Sequence, residues 1–545
     1  MTQSSPSRPA NILLCTLNAR YSHASLGLRY LQANMGALRA HTQLLELTIN
    51  RPTEELLQAL LDRLGPLQAE QRCILGLGVY IWNVQETLAL VLALRTLRPD
   101  VVVVVGGPEV SHEVHDQAIV RAADHVITGW GDISFAQLCQ ALIYGPQPLM
   151  HIITGIQPPL DELVLPYQGY TDEDIAHRLI YVEASRGCPF KCEFCLSSLD
   201  KTAWSFDQDR FLAEIGHLVT RGVRQFKFVD RTFNLKIEAS ARILQFFLDQ
   251  IAAYPGDSFF VHFELVPDQL PERLKALMVQ FPAGALQFEI GIQTFNPDVQ
   301  QRISRRQDNA KTETHLAWLV EHTHAHLHTD LIFGLPGESL VSFAEGFDRL
   351  WALGPHEIQL GILKRLRGTP IHRHTEPWGM VYDTSAPYTV QQTSAVTAAE
   401  VQGMTRMARY WDLLANSGRY QASMARVMGL PGLSPFWRFW DLSNALYQST
   451  GKTHGLSPEA LIDFLFHYLS DRATSLPAPG SDALTLTQEV RQLLLEDYLR
   501  SGAKAKPAAL ADLLTRRQRK HRPNPKAASV VGKRQQQHLD GTPST

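Results

Sequence analysis

What this 545-residue sequence lacks narrows the possibilities first. It has no long apolar run: its most apolar short stretch, Val101 to Val105, is far below the ~20 residues that a membrane-spanning helix needs, so no membrane partner is expected. It has no charge excess. Lys and Arg number 51 against 54 Asp and Glu, a formal net charge of −3, so the whole molecule offers no bulk attraction to nucleic acid. The N-terminus, Met1 to Ala10, is polar and rich in Ser and Pro rather than basic then apolar, which is not the pattern of a secretory signal; a cytoplasmic location is expected. Six cysteines in a chain of this length exclude a disulfide scaffold. No internal repeat is present. Apolar residues at 45% and charged residues at 19% are those of a chain with real cores, and the length suggests roughly three to four domains.

The few cysteines are unevenly placed. Cys15, Cys73 and Cys139 are isolated in apolar surroundings, as small buried thiols are. Cys188, Cys192 and Cys195 sit within eight residues, spaced CxxxCxxC, directly after an apolar run and the turn-forming Arg186-Gly187. Three thiolates on one tight loop can hold three irons of a cubane cluster and leave the fourth iron open. A zinc site completed by His217 or His262 is the alternative reading of the same residues.

Along the chain two strand–helix alternations follow one another. The first has apolar runs at Ile12–Leu17, Leu44–Ile49, Cys73–Tyr80, Val101–Val105 and His125–Thr128, separated by helical patterns at Ser25–Ala40, Thr53–Leu64 and Gln85–Leu97. Purely apolar strands alternating with helices predict a parallel sheet covered on both faces, with a ligand crevice at the carboxyl ends of its strands. Gly106-Gly107-Pro108 and Gly129-Trp130-Gly131-Asp132 stand at two of those ends. The second alternation has strands near Leu179–Ala184, Gln225–Val229, Phe259–Leu265, Leu286–Ile292, His328–Phe333 and Glu357–Leu363, which fits an open or partial barrel. Residues 1–10 are expected to be disordered, 11–143 to form the first α/β domain, 144–178 a Pro/Gly-rich linker, 179–369 the barrel, 370–514 a helical domain and 515–545 a basic disordered tail. Ser434-Pro435 and Ser457-Pro458-Glu459 mark helix starts in the helical domain.

Strand alternation also predicts a polar row. Glu289, Gly291 and Gln293 share one face of the fourth barrel strand, opposite Phe288, Ile290 and Ile292. His262 and Glu264, then His328 and Asp330, repeat the pattern on neighbouring strands, Asp230 closes the second strand and Gln359 lies on the sixth. Barrel interiors are ordinarily filled by branched apolar side chains, so carboxylates and amides on one face suggest a polar ligand; a salt-linked floor is the other reading. His322, His324, His326 and His328 straddle a helix end and a strand start and are not expected to converge on a metal.

The run Ser185-Arg186-Gly187-Cys188-Pro189-Phe190-Lys191-Cys192-Glu193-Phe194-Cys195 resembles the signature of the radical S-adenosylmethionine (SAM) superfamily. The resemblance implies a [4Fe–4S] cluster on Cys188, Cys192 and Cys195, with SAM on its open iron. Reductive cleavage would then yield methionine and a 5′-deoxyadenosyl radical. It implies that Phe194 lies beside the adenine, that Glu289 and Gln293 contact the ribose, that Asp230 and Asn234 stand where the amino group is held, and that Gly334 and Gly337 belong to the loop near the adenine. Arg302, Arg305 and Arg306 are placed to reach the SAM carboxylate. The amino-group motif departs from the family's two glycines and a glutamate, none of which occurs in Asp230 to Asn234.

The front α/β segment resembles the cobalamin-binding domain of the cobalamin-dependent radical SAM group, through Asn18 to Tyr30, Gly106-Gly107-Pro108-Glu109 and Gly129-Trp130-Gly131-Asp132. Gly106, Gly107, Gly129 and Gly131 are the expected cobalamin-contacting glycines. Trp130 and Asp132 depart from that group's usual Gly-Glu-Gly-Glu loop, and the DxHxxG ligand motif of many corrinoid proteins is absent. The C-terminal helices resemble an uncharacterised extension found in one bacterial branch of the group. Their aromatics Trp437, Trp440, Tyr468 and Tyr498 are read as core. The expected fold class is α/β: a doubly wound parallel sheet of cobalamin-binding type, a partial (β/α)6 radical SAM barrel and an α-helical C-terminal domain.

Together these readings predict an oxygen-sensitive enzyme using the cluster, SAM and cobalamin, supplied by a reducing donor such as flavodoxin or ferredoxin. Methyl transfer to an unactivated carbon, or a related radical rearrangement, is the expected reaction on an unidentified substrate. A radical cyclase resembling the anaerobic magnesium-protoporphyrin ester cyclase, and a non-catalytic redox or cobalamin sensor, are the alternatives. Methylthiotransferases fit less well, because their front domain supplies three further cluster cysteines and those of this chain are dispersed.

Overall fold

Strands whose residues are apolar on both faces must be covered on both faces, and the front of the chain builds that arrangement. The computed structural model describes residues 10–67, 71–146, 148–475, 483–501, 503, 505–514 and 538. Its contacts divide the chain into two compact units, residues 1–232 with 364–373 and 382–389, and residues 233–363 with 374–381 and 390–545. The expected disordered ends, 1–10 and 515–545, lie outside the described residues apart from Ala10, which starts the first strand, and His538, which is half-buried.

In the first unit, β1 (Ala10–Asn18), β2 (Thr42–Thr48), β3 (Arg72–Gly78), β4 (Val102–Gly106), β5 (His125–Thr128) and β6 (Ile152–Thr154) form one sheet in the order β2-β1-β3-β4-β5-β6. Every pair is parallel. Alternation along the strands sorts the core into two layers. Leu13, Cys15 and Leu17 pack with Leu75, Val103 and the helices α2 (Thr53–Leu64) and α3 (Val84–Leu97). Ile12, Leu14, Ile74 and Val104 pack on the other face, against Leu28 of α1 (Leu26–Ala33) and Phe135 and Leu142 of α5 (Ser134–Tyr144), α4 being the short helix Ala118–Ala122. The order places a topological switch between β1 and β3, and the crevice beyond their carboxyl ends is where such sheets take ligands.

The segment expected as a linker is not an open tether. It supplies β6 and α6 (Asp172–His177), and it buries Leu160, Leu163, Leu165, Tyr167 and Tyr170. Prolines and glycines deny it long regular elements but do not stop it packing. Its Asp174 and Arg178 also close a buried ionic cluster: Arg29 bonds Glu46 at 2.8 Å and Asp174 at 2.9 Å, and Arg178 bonds Glu46 at 2.7 Å.

The second alternation forms as expected, with all its observed pairings parallel. In the first unit β7 (Ile180–Val182) pairs with β10 (Gln225–Phe228). Between them lie a short antiparallel pair, β8 (Ser185–Arg186) with β9 (Trp204–Ser205), and α7 (Gln208–Thr220). In the second unit β11 (Phe260–Leu265), β12 (Leu286–Gln293), β13 (His326–Phe333) and β14 (Glu357–Ile362) pair in sequence order. Five helices accompany them: α8 (Ile237–Ala253), α9 (Glu272–Met278), α10 (Pro297–Arg302), α11 (Asn309–His322) and α12 (Leu340–Ala352).

The same unit continues into α13 (Ala398–Leu414), α14 (Gln421–Met428), α15 (Pro435–Thr450), α16 (Pro458–Ser475) and α17 (Ala483–Ser501). Ser434 and Pro435 stand at the N-cap and first position of α15, and the Ser457 hydroxyl accepts from the Ala460 amide at the start of α16. Trp411 is the centre of this packing, edge-on to Phe347 at 4.9 Å and to Phe439 at 4.8 Å. Tyr468 and Tyr498 are buried, and Trp437 packs edge-on to Phe436 at 5.1 Å, so these aromatics serve the core.

Candidate active site

Between β8 and β9 the chain makes the loop that carries the cysteine triplet. Gly187 opens it at φ +88°, where a Cβ would stand 2.8 Å from the Ala203 amide and 3.1 Å from the Asp200 carbonyl oxygen. Only glycine fits that closure. The Cys188 amide donates to the Asp200 carbonyl at 2.9 Å, and the Cys195 amide to the Cys192 carbonyl at 3.1 Å, so the loop folds back over itself. Cys188 and Cys192 are buried and Cys195 is half-buried. Burial, and then the neighbouring Cys195 and Cys192 thiols, push the Cys188 thiol up to about 11. The Cys188 thiol thus senses both of the others along one folded loop, three thiols being the donor set an iron–sulfur cluster needs, and loading a metal there releases protons. Phe194, inside the loop, is half-buried.

The remaining cysteines are committed elsewhere. Cys15 and Cys73 belong to one apolar layer of the front sheet and Cys139 to the other. Burial pushes the Cys15 thiol up to about 12 and raises Cys73 and Cys139 as well. They do not assemble into a second cluster-binding set.

Arg186, one residue before the glycine, ties this loop to the front sheet. Its guanidinium bonds both oxygens of Asp132, at 3.0 and 3.2 Å, and Glu183 at 2.7 Å. It also lies over the rings of Tyr30 (4.3 Å) and Trp130 (4.9 Å). Burial opposes the charge, but Glu183 and Asp132 outweigh it and hold the guanidinium firmly protonated. The two residues by which the Gly129–Asp132 loop departs from its family pattern are thus both partners of Arg186. Sequence patterning missed this hub, since Arg186 and Asp132 are far apart in the chain.

At the carboxyl ends of the front strands the glycines divide. Gly107 (φ +114°) is required by the fold, because a Cβ would stand 2.5 Å from the Val79 carbonyl oxygen, and Gly106 lies 3.4 Å from that of Ile127 on the same measure. Gly129 (φ +72°) has open space at its Cβ position, whereas Gly131 faces Leu31 at 3.3 Å. Beyond β3, Tyr80 and Trp82 stack at 4.4 Å and 9°, and Trp82 remains 45% exposed. The pair stands beside the switch point with Trp82 exposed and Tyr80 half-buried. Glu109 does not point to a ligand: it accepts from Arg367 at 2.9 Å and from the Tyr388 hydroxyl at 2.7 Å.

Asp230 and Asn234 are engaged within the protein. The Asp230 carboxyl accepts from the Ala184 amide at 3.0 Å and the Ser185 hydroxyl at 2.5 Å, holding the backbone that leads into the cysteine loop. Burial pushes it up to about 7 despite those bonds. Asn234 is buried in the second unit, accepting from the Val266 amide at 2.8 Å and donating to the Val266 carbonyl at 2.8 Å.

The polar row of the second unit forms as the alternation requires. Along β12 every second residue is buried, and Gln287, Glu289, Gly291 and Gln293 are the half-exposed set between them. Glu289 Oε2 lies 3.2 Å from His262 Nε2, and His328 Nε2 lies 3.4 Å from Asp330. Gln293 ends the strand in the left-handed region (φ +70°), a conformation that glutamine rarely adopts. Its Oε1 is buried without a hydrogen-bond partner, an acceptor held ready for a donor.

Gly334 and Gly337 also have positive φ, but the space at each is filled by the protein, by Val390 at 2.5 Å and by Arg302 and Trp378 at 2.5 and 2.6 Å. Arg302 stacks on Trp378 at 4.0 Å and donates to the Pro336 carbonyl at 2.6 Å. Arg305 donates to the Gly291 carbonyl, and Arg306 is exposed. Glu338, which the sequence did not single out, is buried; Thr294 donates to its Oε1 at 2.5 Å and burial pushes the carboxyl up to about 7.

Comparison with known proteins matches three successive stretches of the chain. Residues 12–139 match the B12 binding domain, residues 182–350 the radical SAM superfamily, and residues 376–540 a family described only as a protein of unknown function, DUF4080. An uncharacterised methyltransferase of Pyrococcus horikoshii is 30% identical over 28% of this chain and 39% of its own length. The cobalamin-dependent radical SAM methyltransferase TokK of Streptomyces tokunonensis is 24% identical over 53% of this chain and 47% of its own. The chain thus spans less than half the length of these curated relatives. Among solved structures, the cobalamin-dependent SAM radical enzyme OxsB with aqua-cobalamin bound superimposes with a TM-score of 0.57. That likeness covers 90% of this chain and 80% of OxsB at 12% identity, and it is a likeness of fold.

Proposed function

We propose that this chain, which belongs to the radical SAM superfamily and carries a B12-binding domain ahead of that core, is a cobalamin-dependent methyltransferase acting on an unactivated carbon. The observation that carries the reading is the cysteine loop. Three thiols stand on one closed turn, and the chain's other three cysteines are locked in the sheet layers. Such a set binds three irons and leaves one for SAM, and it argues against a front domain carrying a second cluster.

When bound, the cluster supplies the electron that cleaves SAM and the corrinoid supplies a transferable methyl group. The chain's own residues do the positioning. Cys188, Cys192 and Cys195 hold the irons, and Gly187 with Asp200 keeps their loop closed. The unpartnered Gln293 Oε1 is suited to accept from a ribose hydroxyl, and Glu289 shares its strand face. The stacked Tyr80–Trp82 pair and the open Gly129 loop suit the corrin. No histidine follows the DxHxxG pattern, so a histidine from that motif is not the lower ligand in this reading.

The test is anaerobic reconstitution of the full chain with iron, sulfide and cobalamin, followed by electron paramagnetic resonance of the reduced protein with and without SAM. A cluster signal that shifts on adding SAM, with 5′-deoxyadenosine formed and cobalamin retained through gel filtration, is the expected result. A cluster without retained cobalamin would favour a radical SAM enzyme of another kind. Absence of any cluster signal would overturn the reading.

A further inference from the structure

The four histidines around the start of β13 do not gather as one set: His322 stacks on Trp318, while His328 lies between Asp330, at 3.4 Å from Nε2, and Glu357, whose Oε2 is 3.6 Å from its Nδ1. One of them nevertheless joins a different set. His326 is the first residue of β13 and Glu357 the first of β14, both buried, and His326 Nε2 lies 2.9 Å from Glu357 Oε1. His538, distant in sequence, brings a third side chain. One ligand atom from each of the three lies within 4.8 Å of the other two.

His326 Nε2 faces a carboxylate and so carries a proton that a metal would displace, and the hydrogen bonds around His538 and His356 assign their nitrogens. His538 Nε2 lies 3.2 Å from the Asn416 carbonyl oxygen, which can only accept, so that nitrogen carries the proton and Nδ1 carries the lone pair. Asn416 is itself fixed, accepting from the Ile358 amide at 3.1 Å and donating to the Ile358 carbonyl at 3.0 Å, one residue beyond Glu357. A ligand histidine whose other nitrogen is tied to a backbone carbonyl is the usual support of a metal site. His356 stacks near His326, at 4.7 Å between ring centroids, but its Nδ1 accepts from the Leu327 amide at 3.1 Å. Its proton then sits on Nε2, and it acts as a wall rather than a ligand.

We propose that His326, Glu357 and His538 bind a divalent cation of zinc type, with water in the fourth position. Two imidazoles and one carboxylate suit zinc or a neighbouring first-row metal; magnesium and calcium prefer all-oxygen shells. Tetrahedral zinc with ligand bonds of 2.0–2.2 Å sets its ligand atoms about 3.4 Å apart. The observed 2.9 Å and the 4.8 Å limit bracket that spacing. The strands' amino ends are the opposite end from the loops where barrels of this kind do chemistry, so the site ties the His538 side chain to the sheet rather than serving the reaction.

The experiment uses the full chain with its cluster already loaded, so that the cysteines are occupied, dialysed against zinc buffered in the low micromolar range. Zinc and iron are then measured together in wild type, His538→Ala and Glu357→Gln. About one zinc per wild-type chain is expected, with affinity at least roughly tenfold weaker in both variants and iron content unchanged. Glu357→Gln keeps the shape and the His326 contact, so it reads the site even if His538→Ala folds poorly. Cobalt in place of zinc should give ligand-field bands without thiolate charge transfer. Zinc-free wild type, zinc uptake unaffected by either variant, or a cobalt spectrum with thiolate bands would overturn the proposal.

Discussion

Arg186 grips Asp132 through both carboxylate oxygens, at 3.0 and 3.2 Å, and so fastens the loop after the fifth front strand to the turn that opens the cysteine triplet. The side chains are only 14% and 10% exposed, and paired, parallel contacts of this kind are the strong ones. The Tyr30 and Trp130 rings flank the same guanidinium. A loop expected to approach a corrin and a loop expected to hold a cluster therefore share one charged residue.

Asp132→Ala should separate them. Removing one partner of a buried pair leaves an under-compensated charge and costs about 3–5 kcal/mol, though Glu183 retains part of the compensation here. Denaturant unfolding should show a loss toward the lower end of that range, and iron should escape faster on exposure to air. The exposed Arg221–Asp172 pair is the control: Asp172→Ala should cost less than about 1 kcal/mol. Equal losses in the two variants would mean that the Asp132 contact has no special role.

That relationship marks where the sequence stops being legible. The strands of both alternations could be read from apolar runs, because burial on both faces leaves a continuous local signal. The polar face of β12 could be read too, since a period of two survives in Glu289, Gly291 and Gln293. Arg186 and Asp132 are 54 positions apart, and such a pair leaves no local pattern. The packing of residues 144–178 was hidden by prolines and glycines that mimic a tether. Asn234 reads as a ligand contact until the fold shows its amide clamped to Val266, and nothing in the letters reveals that Gln293 stands at positive φ.

Glu46 should be the most costly single acid to lose from the front of the chain. It is 4% exposed and is shared by Arg29 and Arg178, while also accepting from the Asn18 side chain at 3.1 Å. Glu46→Ala leaves two buried guanidinium groups with Asp174 alone, and a loss of about 3–5 kcal/mol is expected in denaturant unfolding. Arg29→Met combined with Glu46→Ala should lose less than the sum of the single variants, since the charge left unpaired is then removed as well. Strict additivity would show that the cluster does not act as a unit.

Gln293 offers a cleaner test of SAM binding than a cysteine variant, because the cluster should survive it. Gln293→Gly keeps the positive φ without strain and removes the whole side chain, its amide oxygen included. If its unpartnered oxygen accepts from the ribose, loss of one such bond should weaken SAM by roughly tenfold, as about 1–1.5 kcal/mol implies. Titration of the SAM-induced shift in the cluster resonance would measure it, with the cluster signal itself unchanged. Unchanged affinity would assign the buried oxygen to the fold.

Asp230 should give the first unit a pH dependence opposite to that of an ordinary ion-paired acid. Burial, which outweighs its bonds to Ser185 and Ala184, raises the folded carboxyl to about 7 from its ordinary value of 3.8. The folded protein therefore binds a proton that the unfolded chain has already released across that interval. Stability falls as pH rises from near 4 to near 7 and is flat above, the whole effect amounting to at most roughly 4 kcal/mol. Asp230→Asn keeps an acceptor for the Ala184 amide and cannot ionise. The difference in unfolding midpoint between pH 5 and pH 8 should shrink in that variant, chiefly through a gain at pH 8. A difference of the same size in both proteins would place the titration on another group and leave the Asp230 carboxylate charged in the folded state.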